Sequence, residues 1–540
     1  MNLVKPEPVT TTGAITRSTV GTYFDIAGVM QTAAIDAVRI NYDPYSHEFL
    51  GLLIENAATN LLTYSAQFDS SAWNKPIITV AANAFVAPDG TLTADKLVES
   101  TSTIAQRILT NQSYTLPAGA VTFSFYAKFA GRRYLNAYPL YTTWWNFNVL
   151  FDLQTGVITA NPTSTPASIT PVGNGWYRCS VSPTVTTGGT GATATIILGM
   201  QMNGTLGGSD SSYTGDGSSG IYLWGAQLEA GASATSYIPT VASSVTRAAD
   251  IITGSGLVYT NLTNAYAEWS SGTTYALGTS VSYGILGTYI SLQNSNLNQN
   301  PVTATAYWSR TGPTNKMAAF DDQISSISSS NSDIIFAVTA SSIDTVALLN
   351  IVGSKTSIAV TDISLKSEIY HNSQQLTGID SLDWYSYFFY DQDTVRTLSV
   401  YLDIPVVSSG LVTVKISGAG TNSLGTFIAG LLKRLGDTQY GVSAGIIDYS
   451  RKDTDEFGNV TFIKRNYSKR INASVSLTNA NLNKVQRILY QIRATPVLWL
   501  ASTDIQFEEP LITYGFYRDF STEISYPTHS ICNLQIEGLI

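Results

Sequence analysis

Few side chains in this sequence have the chemistry of a catalytic or metal centre. There are three histidines, His47, His371 and His529, and two cysteines, Cys179 and Cys532. A zinc site needs three or four convergent ligands, and a His-based triad needs its base within hydrogen-bond reach of a nucleophile. No local spacing brings these residues together. Neither a G-x-x-x-x-G-K phosphate loop nor a G-x-S-x-G elbow occurs. The stretch from Asp453 to Asn459 opens like a calcium loop, but its fifth position is Phe457 and its twelfth is Lys464, where a bidentate Glu is required. Asp210 and Asp216 fall in a Gly- and Ser-rich loop and read as turn formers. Paired carboxylates for glycoside cleavage leave no local pattern. The expectation is no catalytic residue, no metal and no cofactor.

What the chain has in excess is 31 Tyr and 9 Trp. A sugar offers an apolar ring face edged by hydroxyls, so its binders set aromatic platforms beside Asn, Asp and Gln. Trp269 and Trp308 bracket a short block containing Tyr275, Tyr283 and Tyr289, and Trp144 and Trp145 stand adjacent in "YTTWWNFN". The same rings would serve equally well as core. Trp144 and Trp145, pointing to opposite faces of a strand, cannot both enter one core.

The elements that must position these residues are strands. Charged residues make up 12% of the chain, against about a quarter in an average globular protein, while hydrophobic residues reach 44%. Such a chain folds, with a surface of uncharged polar groups. Its net charge of -9 lacks the basic footprint that phosphate backbones demand, so nucleic acid is not an expected partner. The two cysteines read as small buried hydrophobes rather than a disulfide framework. The N-terminus lacks the apolar core of a signal peptide, and no run reaches the 18 or more apolar residues of a span. Synthesis in the cytoplasm, without export or membrane insertion, is the expectation.

With 540 residues the chain should be modular. We divide it into an extended N-terminal segment (1–60) suited to attachment, a jelly-roll domain (61–250), a small aromatic-rich module (251–330), a second β-sandwich (331–420) and a C-terminal α+β unit (421–540). The fold class is mainly β and multi-domain. Phe123, Phe125, Ala127 and Phe129 alternate in one strand; Phe147, Val149, Phe151 and Leu153 alternate in another. In "GIYLWGAQLEAG", Tyr222, Trp224, Ala226 and Leu228 fall on one parity, Leu223, Gly225, Gln227 and Glu229 on the other. Leu482, Val485, Leu489 and Ile492 recur at helical spacing behind a Thr478 or Asn479 cap. The charged stretches "RKDTDEFG" and "IKRNYSKR" read as two strands of a hairpin, either solvated or touching a neighbouring subunit.

"GLLIENAATNLLTYSAQFDSSAWNK", "APDGTLTADKLVES", "TFSFYAKF", "FDLQTG", "GNGWYRCSVS", "GIYLWGAQLEAGASATSYIPT" and "VTRAAD", in that order, resemble the phage head-spike fibre domain, a module of bacteriophage virion proteins often described as a carbohydrate-binding jelly roll. The resemblance covers roughly residues 50–250 and implies that Tyr222 and Trp224 fill the sandwich. The block 269–308 resembles small chitin-binding-type carbohydrate modules, which makes Trp269, Tyr289 and Trp308 its aromatic candidates. The C-terminal part resembles segments at the ends of phage tail and appendage proteins. Together these imply a virion fibre or spike, assembled as a homo-oligomer with other head, collar or tail proteins and binding host surface polysaccharide without cleaving it. The alternatives are a purely architectural tail, collar or baseplate part and a polysaccharide depolymerase, the latter disfavoured because no short internal repeat of a β-helix is found.

Overall fold

Alternation of apolar residues produces antiparallel strands along most of the chain. The computed structural model describes residues 1–111, 114, 116, 118–140, 145–186, 195–206, 212–321, 323–376, 396–454, 456–457, 459–502, 508–524 and 526–539. Trp144, Asp210, Asp455 and Gly458 lie outside them. The protein is mainly β and multi-domain, with two compact units: Ile15–Ile252, and Met1–Ala14 together with Thr253–Ile540.

The first unit is a sandwich of two antiparallel sheets. One runs Ala167–Pro171, Trp176–Val181, Gly119–Ala130, Gly220–Ala230, Leu92–Val98, Thr79–Val86; the other runs Val157–Ala160, Val149–Asp152, Tyr134–Pro139, Ile196–Gln201, Arg107–Thr110, Trp73–Asn74. Phe123, Phe125, Ala127, Phe147, Val149, Phe151, Cys179 and Leu198 meet in the core between them. Burial pushes the Cys179 thiol well above its ordinary pKa, as befits an inert core residue. Phe129, on the same parity, is exposed at its strand's end.

The strand Gly220–Ala230 departs from simple alternation. Its register against Gly119–Ala130 shifts between Trp224 and Gln227, so that Gly225 and Ala226 together oppose Phe125. Such a bulge inverts the parity downstream. Ile221 and Leu223 therefore share the inter-sheet core with Ala226 and Leu228, whereas Tyr222 and Trp224 lie on the outer face. This corrects both the expected parity and the expectation that Tyr222 and Trp224 fill the sandwich. Gly225 has φ +59, and a Cβ there would come within 2.9 Å of the Tyr126 ring.

The outer face of that sheet is covered. Met30, Tyr126, Trp176, Trp224 and Tyr237 form a second apolar layer, with Phe24 and Tyr222 packed on it. Residues 15–60, the larger part of the extended N-terminal segment read from the sequence, belong to this unit.

In the second unit, Gly256–Thr260, Ile334–Ala340, Gly410–Ser417, Lys355–Asp362 and Ser367–Gln375 form one sheet of a sandwich; Ser328–Ser330, Asn422–Gly430, Thr345–Val352 and Leu398–Tyr401 form the other. The aromatic module interrupts it between Gly256–Thr260 and Ser328–Ser330. A C-terminal sheet follows, in which Asn2–Val4 is inserted between Leu432–Arg434 and Val497–Leu500. The first sixty residues are thus divided between the two units. Helix Leu482–Gln491 lays Val485, Ile488 and Leu489 on the core of this sheet, beside Trp499. Neither expected cap accepts a backbone N–H of the first turn with its side chain: the Asn479 amide instead donates to the carbonyls of Tyr526 and Pro527, anchoring a loop.

Gly225→Ala should lower the stability of the first unit by about 1–3 kcal/mol, from left-handed backbone strain plus displacement of Tyr126, as read by chemical denaturation; Gly231→Ala, whose Cβ would meet only the Ser233 carbonyl at 3.9 Å, separates backbone strain from the clash.

Candidate functional site

The aromatic candidates are placed mostly inside. Trp308 is 2% exposed and Tyr289 6%, in a cluster with Tyr275 and Val281. The Trp308 indole donates to the Gln299 carbonyl at 2.9 Å, and its ring meets Tyr275 edge-on at 5.2 Å. Trp145 is 3% exposed, in the jelly-roll core against Phe147. As sugar platforms, Trp308, Tyr289 and Trp145 are therefore corrected: a stacking ring needs an open face, and these faces are covered. In a block this short these rings, with Val281, supply most of the core. Trp269 alone of the described candidates is half-buried, its ring edge-on to Tyr283 at 5.5 Å. Asn300 donates to the Tyr283 hydroxyl at 2.8 Å, placing an amide beside the pair.

A more enclosed site lies on the outer face of the jelly-roll sheet. Alternation on Gly119–Ala130 sends Tyr126 outward, and Arg178 points the same way from the neighbouring strand, its guanidinium 5.4 Å over the Tyr126 ring. Tyr23, Phe24 and Asn41 from the N-terminal segment, with Ser236 and Tyr237, close a cavity of about 210 Å³ around them. That holds about seven waters at liquid density. Its walls are aromatic. The Tyr126 hydroxyl and the Arg178 Nε are buried without a hydrogen-bond partner among the described residues, as are the Arg39 Nε and Arg247 Nε nearby. Burial pushes the Tyr126 phenol up against the opposing influence of Arg178, so it stays a neutral donor. Burial, with the charge of Asp25, also pushes Tyr23 up.

A buried ionic cluster adjoins the cavity. Arg17 Nη1 meets Asp250 at 2.9 Å, Arg39 Nη2 meets it at 2.6 Å, Arg39 Nη1 meets Glu55 at 2.7 Å, and Arg247 Nη1 meets Glu55 at 3.0 Å. The three guanidinium groups are 1% exposed or less. Glu55, which also lines the cavity, accepts from the Ser236 amide and hydroxyl, both at 2.7 Å. Burial alone would raise its pKa, but the charges of Arg39 and Arg247 and the Ser236 hydrogen bonds outweigh it and hold Glu55 below the usual carboxylate range. Asn60 ties the same region to the bulged strand: its amide donates to the carbonyls of Ala226 and Ile238, and its oxygen accepts from Leu62 and Leu228.

Sequence reasoning passed over Tyr23, Arg178 and the arginine cluster. The only signal for the cluster was that "GLLIEN", "TSYIPT" and "VTRAAD" contribute Glu55, Ser236, Arg247 and Asp250 to it. Among the described residues no group of His, Cys, Asp and Glu could hold a metal ion, and no helix is long and apolar enough to cross a membrane. Asp216 accepts from the amides of Ser218 and Ser219, the contacts of a turn former.

No protein-family model and no curated protein matches the sequence. Among solved structures, the enzymatically active domain of tailspike protein 4 of bacteriophage CBA120 aligns at 19% identity over 31% of this chain and 21% of that chain, with a TM-score of 0.20. The GH78 family rhamnosidase of Bacillus sp. GL1 aligns at 7% identity over 83% of this chain and 36% of that chain, with a TM-score of 0.19. Superpositions this loose carry no argument about function.

Asp250→Asn leaves Arg17 and Arg39 undercompensated in the interior and should cost about 3–5 kcal/mol in chemical denaturation. For Glu55 the folded-state pKa is depressed, so its contribution is present above the unfolded value of about 4.3 and fades as pH falls through the lower folded value. The stability gap between wild type and Glu55→Gln should be constant from about pH 7 to 5 and narrow below about 4.3; a gap that is unchanged at lower pH would show that the carboxylate charge does not matter.

Proposed function

We propose that this protein is a structural component of a bacteriophage virion, an appendage that contacts host surface polysaccharide and does not cleave it. The observation that carries the sugar-binding part is the cavity on the jelly roll's outer face, where the half-buried rings of Tyr23 and Phe24 stand beside Asn41, Glu55 and Arg178. Its volume is below that of drug-sized sites, which run from about 300 Å³. It suits one hydroxylated ring at a chain end or branch. The phage assignment rests on the ordered motifs between residues 50 and 250 and their resemblance to head-spike fibre domains. Binding without cleavage is supported by the state of Glu55, the cavity's carboxyl group. A general acid for glycoside hydrolysis requires a raised pKa, and Arg39 and Arg247 hold this one down.

A second reading, a purely architectural tail, collar or baseplate part, is favoured by the burial of Trp308, Tyr289 and Trp145, which spends aromatic surplus on cores.

The test is binding of the purified protein, displayed densely on beads, to a panel of immobilised bacterial surface polysaccharides. Tyr23→Ala, at the half-exposed wall of the cavity, should weaken saturable binding about tenfold, equivalent to roughly 1.4 kcal/mol. Loss in Trp269→Ala with Tyr23→Ala unaffected would move the site to the small module. Absence of binding by wild type at every density would sink the sugar-binding reading and leave the architectural one.

A further inference from the structure

The outer face of the jelly-roll sheet carries a second feature beside the cavity. In strand Gly220–Ala230 every residue from Gly220 to Glu229 is buried except Tyr222. Its ring stacks on that of Phe85, also half-buried, with centroids 4.7 Å apart and planes inclined by 29°. The register of Thr79–Val86 slips between Ala81 and Phe85, around Asn83, which has φ +52 and donates its amide to Asp95 at 2.9 Å. Tyr222 is paired with Lys128 on one side and with Lys96 on the other, so all three share a face. With strands about 4.8 Å apart, the two lysines leave the sheet about 10 Å from each other. Tyr126 of the cavity precedes Lys128 by two residues on the same face, about 7 Å along the strand.

Neither lysine has a carboxylate partner among the described residues. Lys128 Nζ lies 4.4 Å from the centre of the Phe85 ring and donates to the Asn174 carbonyl. Three consecutive left-handed residues, Gly173, Asn174 and Gly175 with φ +85, +51 and +76, hold that carbonyl in place. Such backbone costs energy at the non-glycine residue and is kept where the surroundings require it. Burial lowers the Lys128 pKa, and no carboxylate offsets it. Lys96 Nζ donates to the Ser218 carbonyl at 2.8 Å. Asp216, in the same loop, is occupied by the amides and hydroxyls of Ser218 and Ser219. One N–H of each ammonium thus fixes the head group on a loop, and two further donors remain on each. In a chain with 38 acidic and 29 basic residues, two cations left without a counter-charge beside an aromatic stack form an incomplete arrangement.

We propose that Tyr222, Phe85, Lys96 and Lys128 form a subsite for an anionic sugar unit, a pyranose bearing a carboxylate, within the polysaccharide whose neighbouring ring enters the cavity. This rests on the sugar-binding reading and adds the class of ligand. The exposed part of the aromatic pair takes the apolar face of the ring. A carboxylate on either edge of that ring meets an ammonium group. An acidic polysaccharide is repelled by a body of net charge -9, so its attachment depends on local cations of this kind.

The test uses the full chain displayed on beads and immobilised acidic and neutral bacterial surface polysaccharides, the acidic ones both in native form and after carbodiimide-mediated reduction of their carboxyl groups to alcohols. Wild type should bind an acidic polysaccharide, lose binding severalfold on carboxyl reduction, and hold the native form less well as added salt screens the charges. Lys128→Met and Lys96→Met, which keep an aliphatic stem on the sheet, should each weaken binding to the native form severalfold, and together should abolish the preference for it. Lys96→Arg, which keeps the charge, should retain that preference. Binding confined to neutral polysaccharides, equal binding of native and reduced forms by wild type, or a preference that survives in the double variant would overturn the subsite; if Tyr23→Ala still weakens that binding, the cavity stands. No binding to any polysaccharide would overturn subsite and cavity together.

Discussion

The jelly-roll unit depends on a set of buried charges. Arg17, Arg39 and Arg247 lie in a dry interior, held by Glu55 and Asp250. Desolvating a charge costs several kcal/mol, and pairing returns that only when geometry is good and remaining valences are filled. Here Arg39 alone reaches Asp250, Glu55, the Thr22 carbonyl and the Ser236 hydroxyl, while its Nε and that of Arg247 find no partner among the described residues. The partners come from both ends of the unit, so the pairing is complete only when segment 15–60 and the stretch after Gly231 close over the sheet together. Closures that strand one guanidinium are disfavoured by the full desolvation cost. The cavity exists because of this closure: Tyr23, Phe24 and Asn41 are its wall on one side, Ser236 and Tyr237 on the other, and Glu55 belongs to both cavity and cluster.

That dependence explains what could be read from the sequence. Strands whose information is local were legible: the alternation of Phe147, Val149, Phe151 and Leu153 places all four in one core, and the helical spacing of Val485 and Leu489 puts both against the C-terminal sheet. The bulge at Gly225 was not legible, because a period-two pattern has no marker for an inserted residue other than the glycine itself. The cluster was hidden for a different reason. Arg17 and Asp250 are 233 positions apart, and an arginine just past a short strand reads as a surface residue until its partner is known. The N-terminal strand Asn2–Val4 was missed on the same grounds, since three residues carry no periodicity and their pairing partners lie beyond residue 430.

The aromatic residues show how a sound compositional inference can attach to the wrong positions. Tyr and Trp suit both sugar faces and small cores, and sequence spacing treats the two uses alike. Burial separates them. The small module spends Tyr275, Tyr289 and Trp308, with Val281, on its core, leaving Trp269 and Tyr283 at its edge. In the larger unit the inter-sheet core is supplied largely by Phe, Leu, Ile and Val, which leaves Tyr126, Tyr237 and Trp224 free to serve an outer layer. Only an outer layer can leave a concavity between aromatic walls.

Under the proposed reading a cavity of about 210 Å³ would contact one sugar-sized group, and after the entropy of association is met such a contact is weak. Weak sites become useful when several engage one repetitive surface, because each later contact forms at the high effective concentration set by the first. A polysaccharide-coated cell is repetitive by nature, so the requirement falls on the protein to present several copies in fixed array. A chain with few charges and a net negative body needs a specific device to bring copies together rather than general stickiness.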